Sequence, residues 1–232
     1  MLPLADENLQ GRGWAVVTLT LIAINVAVFV LLQLPNEAFT YAWAVVPREI
    51  TTGMDIVRTV EVPGGSFMLE PSPSPVHITL ISSMFMHGGW LHLLGNMLFL
   101  WVFGDNVEHA MGPLAFIAFY VTAGIIGSLA QIFVDPTSLI PSLGASGAIS
   151  GVLGAYIVLF PSNRVLVFLF RFAVWVPALV VIGMWALLQF INGFGQIAET
   201  QQTGGVAYLA HIGGFVAGLV GGFIARGLGR HR

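Results

Sequence analysis

The 232-residue chain contains no cysteine and no lysine, and charged side chains of any kind make up only 8% of it. Without cysteine there are no disulfides, no thiolate metal sites and no cysteine nucleophile. The shortage of charge excludes more. A soluble domain of this size carries about a quarter charged residues, whereas this chain is 56% hydrophobic. Most of its surface therefore faces lipid, and the bilayer is its first partner. The net charge of −3 favours no other partner, and nothing points to nucleic acid.

What is present is apolar length. A helix needs about 20 apolar residues to cross a bilayer, and six segments approach that: 14–34, 79–103, 114–134, 146–161, 173–192 and 206–226. The expectation is an all-α membrane protein with six transmembrane helices. Residues 1–13 form a short cytoplasmic head, 14–226 one membrane domain, and 227–232 a basic tail. The head has no basic n-region and no small-residue cleavage site follows the first span, so that span reads as retained. The fourth segment is short, which fits a helix buried among the others. A long loop, about 35–78, separates the first two spans. Its Trp43, Phe67 and Met68 point to partial immersion at the interface. The stretch 193–205, "GFGQIAETQQTGG", is polar and glycine-bracketed, and reads as mobile.

The arginines orient the chain. With the N-terminus inside, Arg12, Arg164, Arg171, Arg226, Arg230 and Arg232 collect on the cytoplasmic side, against Arg48 and Arg58 in the long outer loop. Loop charge of this kind places both termini in the cytoplasm, with a bacterial plasma (inner) membrane as the expected location.

That topology puts several polar side chains at one depth. Ser146 opens the fourth span within "SLGASGAISGVLG". His211 lies about five residues into the sixth, roughly 7 Å along a helix. His92 and Asn96 are four apart in "MHGGWLHLLGNM" and share a helix face in the second span. Ionisable groups inside a membrane are rare and usually functional. Each also has a plain packing reading. Serine among glycines commonly lets helices approach, and Gly147, Gly151 and Ala155 in one span and Gly214, Gly218 and Gly222 in another fit that pattern. The two readings are compatible, because close helices are what a bond between short Ser and His side chains requires.

A serine becomes nucleophilic with a base in reach, and His211 is the one histidine in spans four to six. The Ser146 backbone N–H, the Asn96 amide and the His92 ring supply donors for a developing oxyanion. Asp105 and Glu108 sit at the inner end of span two, at least about 13 Å below Asn96 by helical rise. Asp135 and Glu199 fall in loops. The arrangement reads as a dyad whose imidazole is oriented by packing and not by a carboxylate.

"GASG" opening a transmembrane helix, "H-x-x-x-x-H-x-x-x-N" in an earlier one and "AH-x-x-G-x-x-x-G" in the last together resemble the rhomboid intramembrane serine proteases, over roughly residues 75–226. The resemblance implies a six-span bundle in which Ser146 is the nucleophile and His211 the general base, with Asn96 and His92 at the oxyanion site. It also implies a structural His87 tying span two to the first loop, with Gly144, Gly147, Gly214 and Gly218 as structural residues near the site. The family cleaves single-span membrane proteins near their outer ends, with small residues preferred before the cut, and needs no metal, nucleotide or other cofactor. Two features depart from some members. No Trp-Arg pair precedes span two, and Ser150 stands where an aromatic would stack on the base. A rhomboid-like pseudoenzyme would typically lack the serine or the histidine, and a transporter would need polar residues in the inner half to complete a path. The outer end of span five, Trp185 to Phe190, with the adjoining loop, is the expected route by which substrate enters from lipid.

Overall fold

The computed structural model describes residues 2–7, 13–198 and 207–229. Helix dominates. α1 (Val16–Val28) continues as a π-helical turn (Phe29–Gln33), and the other long helices are α5 (Trp90–Met111), α6 (Pro113–Val134), α7 (Ser146–Leu159), α8 (Ala178–Ala198) and α9 (Tyr208–Gly227). Three of these segments, Val16–Gln33, Pro113–Val134 and Tyr208–Gly227, are long and apolar enough to cross a membrane by length and composition. Short helices α2 (Glu37–Trp43), α3 (Pro47–Thr52) and α4 (Thr79–Ser82) lie between α1 and α5.

Two helix starts differ from the sequence expectation. The apolar run from residue 79 is not one helix. It breaks at Met86–Gly89, where Gly89 has φ +149°, and α5 begins only at Trp90. A backbone angle in that region is readily adopted only by glycine, so Gly89 redirects the chain. Likewise, residues 172–177 are not helix. Phe172–Pro177 is a strand, rich in β-branched and aromatic residues, and α8 starts immediately after Pro177. Most of the segment 193–205 lies outside the described residues.

The all-α expectation is corrected by two small sheets. β1 (Leu2–Asp6), β4 (Arg164–Leu169) and β5 (Phe172–Pro177) form an antiparallel sheet of order β1-β4-β5. The N-terminal head is thus part of the folded body. Val165 and Val167 are buried against the bundle while Phe168, Phe172 and Trp175 stay exposed. In the long loop, β2 (Arg58–Val62) and β3 (Gly65–Leu69) make a hairpin closed by Pro63 and Gly64, with Gly64 at φ +95°. Phe67 stacks on Tyr41 at 5.5 Å. Buried Glu49 fastens this loop, accepting from the Ile56 N–H (3.0 Å) and the Ser72 hydroxyl (2.9 Å).

α7 is the central helix, with every residue but Ser146 and Ile157 buried. Its closest neighbour is α9, with α6 and α5 completing the surround. Glycine sets the α7–α9 spacing. A Cβ added to Gly214 would overlap the Gly147 carbonyl, and one on Gly218 would overlap the Gly151 carbonyl. At the far end, the Glu108 carboxylate of α5 accepts the Val17 (2.9 Å) and Thr18 (2.7 Å) amides. Ala15 heads α1 and has no polar side chain to cap it. Glu108 therefore supplies from another helix the acceptors that first-turn N–H groups need, where negative charge also meets the positive end of the helix dipole.

This packing predicts unequal tolerance of methyl groups. Gly218→Ala should lower stability by about 1–3 kcal/mol, the usual cost of overpacking. Gly183→Ala on α8 has open space around its new Cβ and should be neutral or stabilising by up to about 1 kcal/mol. Reversible unfolding in detergent measures both, and equal effects would show that close α7–α9 contact does not limit the fold.

Candidate active site

Ser146 is the first residue of α7, and the segment before it is held on two sides. Val45 and Ser142 exchange backbone hydrogen bonds (2.9 and 2.7 Å), and the Gly144 N–H donates to the Ser83 carbonyl at 2.9 Å. Gly144 itself sits at φ +123°. A Cβ there would come within 2.8 Å of His92 Cε1 and 2.9 Å of its Nε2. The glycine is needed twice, for its backbone angle and for the space its absent side chain leaves to His92.

The first turn of α9 brings His211 to the same place. His211 Nε2 lies 2.8 Å from Ser146 Oγ, across the glycine contact between α7 and α9. Its other ring nitrogen, Nδ1, lies 2.7 Å from Oε1 of Gln189 on α8. The ring is buried, with Trp185 at 6.0 Å and Tyr208 edge-on at 6.4 Å. Ser150, one turn after Ser146, points back along its own helix and donates to the Ser146 carbonyl at 2.6 Å. Aromatic cover for His211 thus comes from α8 and α9.

α5 supplies the opposite wall. His92 is half-buried, and its Nδ1 accepts from the Gly88 N–H at 3.2 Å. Asn96 is 8% exposed, and its Nδ2 has no hydrogen-bond partner among the described residues. His87 is buried, with its ring 5.1 Å from that of His92. Neither His87 ring nitrogen has a hydrogen-bond partner among the described residues, so the expected tie to the first loop is not made by its side chain; its backbone is bonded instead to the first helix. Gln33, at the end of the first helix, donates to the His87 carbonyl (3.0 Å) and accepts the His87 N–H (2.9 Å). Beside Ser146 is a cavity of about 20 Å³ with Ser83, Ser128 and Ser142 in its wall, room for a single water. A larger cavity of about 350 Å³ lies at the other end of α5 and contains His109. Both ring nitrogens of that histidine face backbone carbonyls, Asp105 at 2.8 Å and Gly13 at 2.9 Å.

Residues 76–227 match the family model of the Rhomboid domain, well over half of the chain. The chain belongs to the rhomboid family. It is 31% identical over 217 residues to "Rhomboid protein 1, mitochondrial" of Saccharomyces cerevisiae, a match covering 91% of this chain and 54% of that protein. It is 33% identical over 145 residues to "RHOMBOID-like protein 5" of Arabidopsis thaliana, covering 62% of this chain and 43% of that one. With "Rhomboid protease GluP" of Bacillus subtilis it shares 36% identity over 146 residues, covering 63% of this chain and 25% of the relative. The chain therefore spans about half the length of the yeast relative and less of the others.

Within this rhomboid domain, α5, α7 and α9 bring Ser146, His211, His92 and Asn96 to one end of the bundle, with the structural glycines between them. Two partners escaped sequence reasoning, Gln189 on His211 and Gln33 on His87. Each is a neutral amide in an apolar helix, a residue type that more often bonds a neighbouring helix than marks a site. A usable signal was available for Gln189, which stands four residues after Trp185 and so shares its helix face.

Proposed function

We propose that this protein is an intramembrane serine protease that hydrolyses peptide bonds near the outer ends of single-span membrane proteins. The observation that carries the reading is the 2.8 Å contact between Ser146 Oγ and His211 Nε2 inside a helical membrane bundle. The chain's similarity to the rhomboid protease GluP of Bacillus subtilis supports it.

In the proposed mechanism His211 Nε2 removes the Ser146 hydroxyl proton as Oγ attacks the scissile carbonyl. The tetrahedral oxyanion is met by the Ser146 backbone N–H, a first-turn amide with no intrahelical acceptor, by Asn96 Nδ2 and by His92. Asn96 suits this role because its Nδ2 is buried and has no partner of its own among the described residues. The imidazolium then protonates the leaving amine, and the acyl group stays on Ser146. Water enters and gives a proton to His211 as its oxygen attacks the acyl carbon; the Oγ–carbon bond then breaks, His211 returns the proton to Ser146 Oγ, and the acid leaves. The small serine-walled cavity beside Ser146 is where that water is held. No step calls for a cofactor.

We place the protein as six spans with both termini on the cytoplasmic side and the site near the outer face. Arg48 and Arg58 then lie in the long loop at the site end, while Arg164 and Arg171 lie on β4 and in the β4–β5 turn, below α7 and α8. This distribution obeys the positive-inside rule. Similarity to a yeast mitochondrial protein as well as to bacterial ones leaves the bilayer, and not one organelle, as the shared compartment. Substrate is admitted past the outer end of α8. Here Phe190 is the cleaner residue to probe, because Trp185 packs on His211 and its loss would disturb the base as well as the entrance.

Two outcomes test the chemistry. With purified protein in liposomes and a transmembrane reporter, Ser146→Ala, His211→Ala and the double variant should abolish cleavage to similar extents, as expected of groups that act together. Substantial turnover by Ser146→Ala would end the serine-protease reading. Asn96→Ala should lower kcat by about 10²–10³-fold with little change in KM, the loss typical of an oxyanion donor. A raised KM at unchanged kcat would make Asn96 a substrate-binding residue instead.

A further inference from the structure

His211 has both ring nitrogens engaged, and the two partners decide its usefulness together. A neutral imidazole carries one proton, so a nitrogen that accepts from serine requires the proton on the other. Gln189 Oε1 lies 2.7 Å from Nδ1, and Ser146 Oγ lies 2.8 Å from Nε2. With the amide oxygen facing the ring, Nδ1 must donate, and Nε2 is left with its lone pair toward the serine. The opposite tautomer would put a proton where the base must act. A carboxylate on Nδ1 would orient the ring similarly and stabilise the imidazolium more. It would also bring a second charge into an apolar layer, where unsolvated charge is expensive. A neutral amide orients without that cost.

The place of Gln189 in the fold adds a consequence. It is half-buried on α8, between Trp185 and Phe190, and α8 packs mainly on α9 with little contact to α7. Of the helices that meet His211, α8 is the least tied to the body of the bundle. The Nδ1 bond crosses that weaker interface, so it is lost whenever the outer end of α8 moves away.

We propose that Gln189 is the positioning residue for the base, holding His211 as its Nδ1–H tautomer, and that the site is complete only while α8 is seated against α9. A substrate that enters by displacing α8 is not cut until α8 returns. The proposal rests on the Ser146–His211 reading above. It differs from an ordinary helix–helix tie, which would contribute to stability and leave the chemical step unchanged.

The experiment uses the full chain in liposomes with two replacements. Gln189→Met keeps the length and removes the acceptor, while Gln189→Glu restores an acceptor at the same place. Three quantities are read: the rate at which a small fluorophosphonate labels Ser146, kcat and KM for a transmembrane reporter, and the unfolding midpoint. The expected result for Gln189→Met is a fall of about 10²-fold in both labelling and kcat, the low end of a general base's contribution. KM should stay within about twofold, as expected when only the chemical step is affected. Gln189→Glu should recover most of the labelling rate. Parent-like labelling and kcat in Gln189→Met would overturn the proposal, as would equal losses in both variants accompanied by a lower unfolding midpoint. The parent chain separates the two readings. If it is labelled at Ser146 and Gln189→Met is labelled equally fast, only the role of Gln189 fails; if the parent is not labelled at all, the dyad fails with it.

Discussion

The backbone contact between α7 and α9 is the constraint on which the site depends. Serine and histidine are short, and two helices spaced by ordinary side chains at 8–10 Å would hold their polar atoms apart. A methyl group on Gly214 or Gly218 of α9 would run into the Gly147 or Gly151 carbonyl of α7. In lipid, apolar burial between helices gives little drive, because the tails are as apolar as leucine. Close van der Waals contact and interhelical hydrogen bonds supply it instead. The same glycines therefore bind the two central helices and set the 2.8 Å separation of Ser146 and His211.

Everything around that contact serves to keep α7 in place lengthwise. At the site end, the segment before Ser146 is bonded to Val45 of the long loop and to Ser83. At the other end, β4 follows α7 directly and is sewn to β1 and β5, while buried Asp6 of β1 bonds the Tyr156 hydroxyl and the Asn106 amide. Glu108 fixes the start of α1 against α5. Supports at both ends matter because displacements on the order of 1 Å are enough to cost a preorganised site most of its rate.

Much of this was legible in the sequence, for reasons that can be named. Hydropathy over about 20 residues finds long helices because lipid leaves the backbone few alternatives, and α6 and α9 fall where expected. The polar layer was legible because His92, Asn96, Ser146 and His211 stand out in apolar surroundings. The starts of α5 and α8 were not. Apolar residues suit a strand such as Phe172–Pro177 as well as a helix, and hydropathy does not register a single glycine such as Gly89 at positive φ. The amides of Gln33 and Gln189 were invisible for a third reason: their meaning lies in which ring nitrogen or backbone group they reach, and that is a property of tertiary structure alone.

Hydrolysis within a bilayer sets polar chemistry against an apolar surround, and the hydrogen-bond pattern shows how the conflict is distributed. Most polar groups of the layer have partners: Ser146 with His211, His211 with Gln189, Ser150 with its own helix, His92 with Gly88. Asn96 Nδ2 has none among the described residues. A buried donor left unsatisfied costs about 1–3 kcal/mol, and the His87 ring nitrogens are buried without a partner among the described residues as Asn96 Nδ2 is. Under the proposed mechanism the cost at Asn96 has a use. A donor already desolvated and aimed at the reacting carbonyl gains most when charge appears there, and needs no reorganisation at that moment. The closed layer that makes such a donor effective also shuts out substrate. On the proposed route of entry, the helix that opens is one whose departure leaves α7 and α9 in contact, and α8 meets that condition.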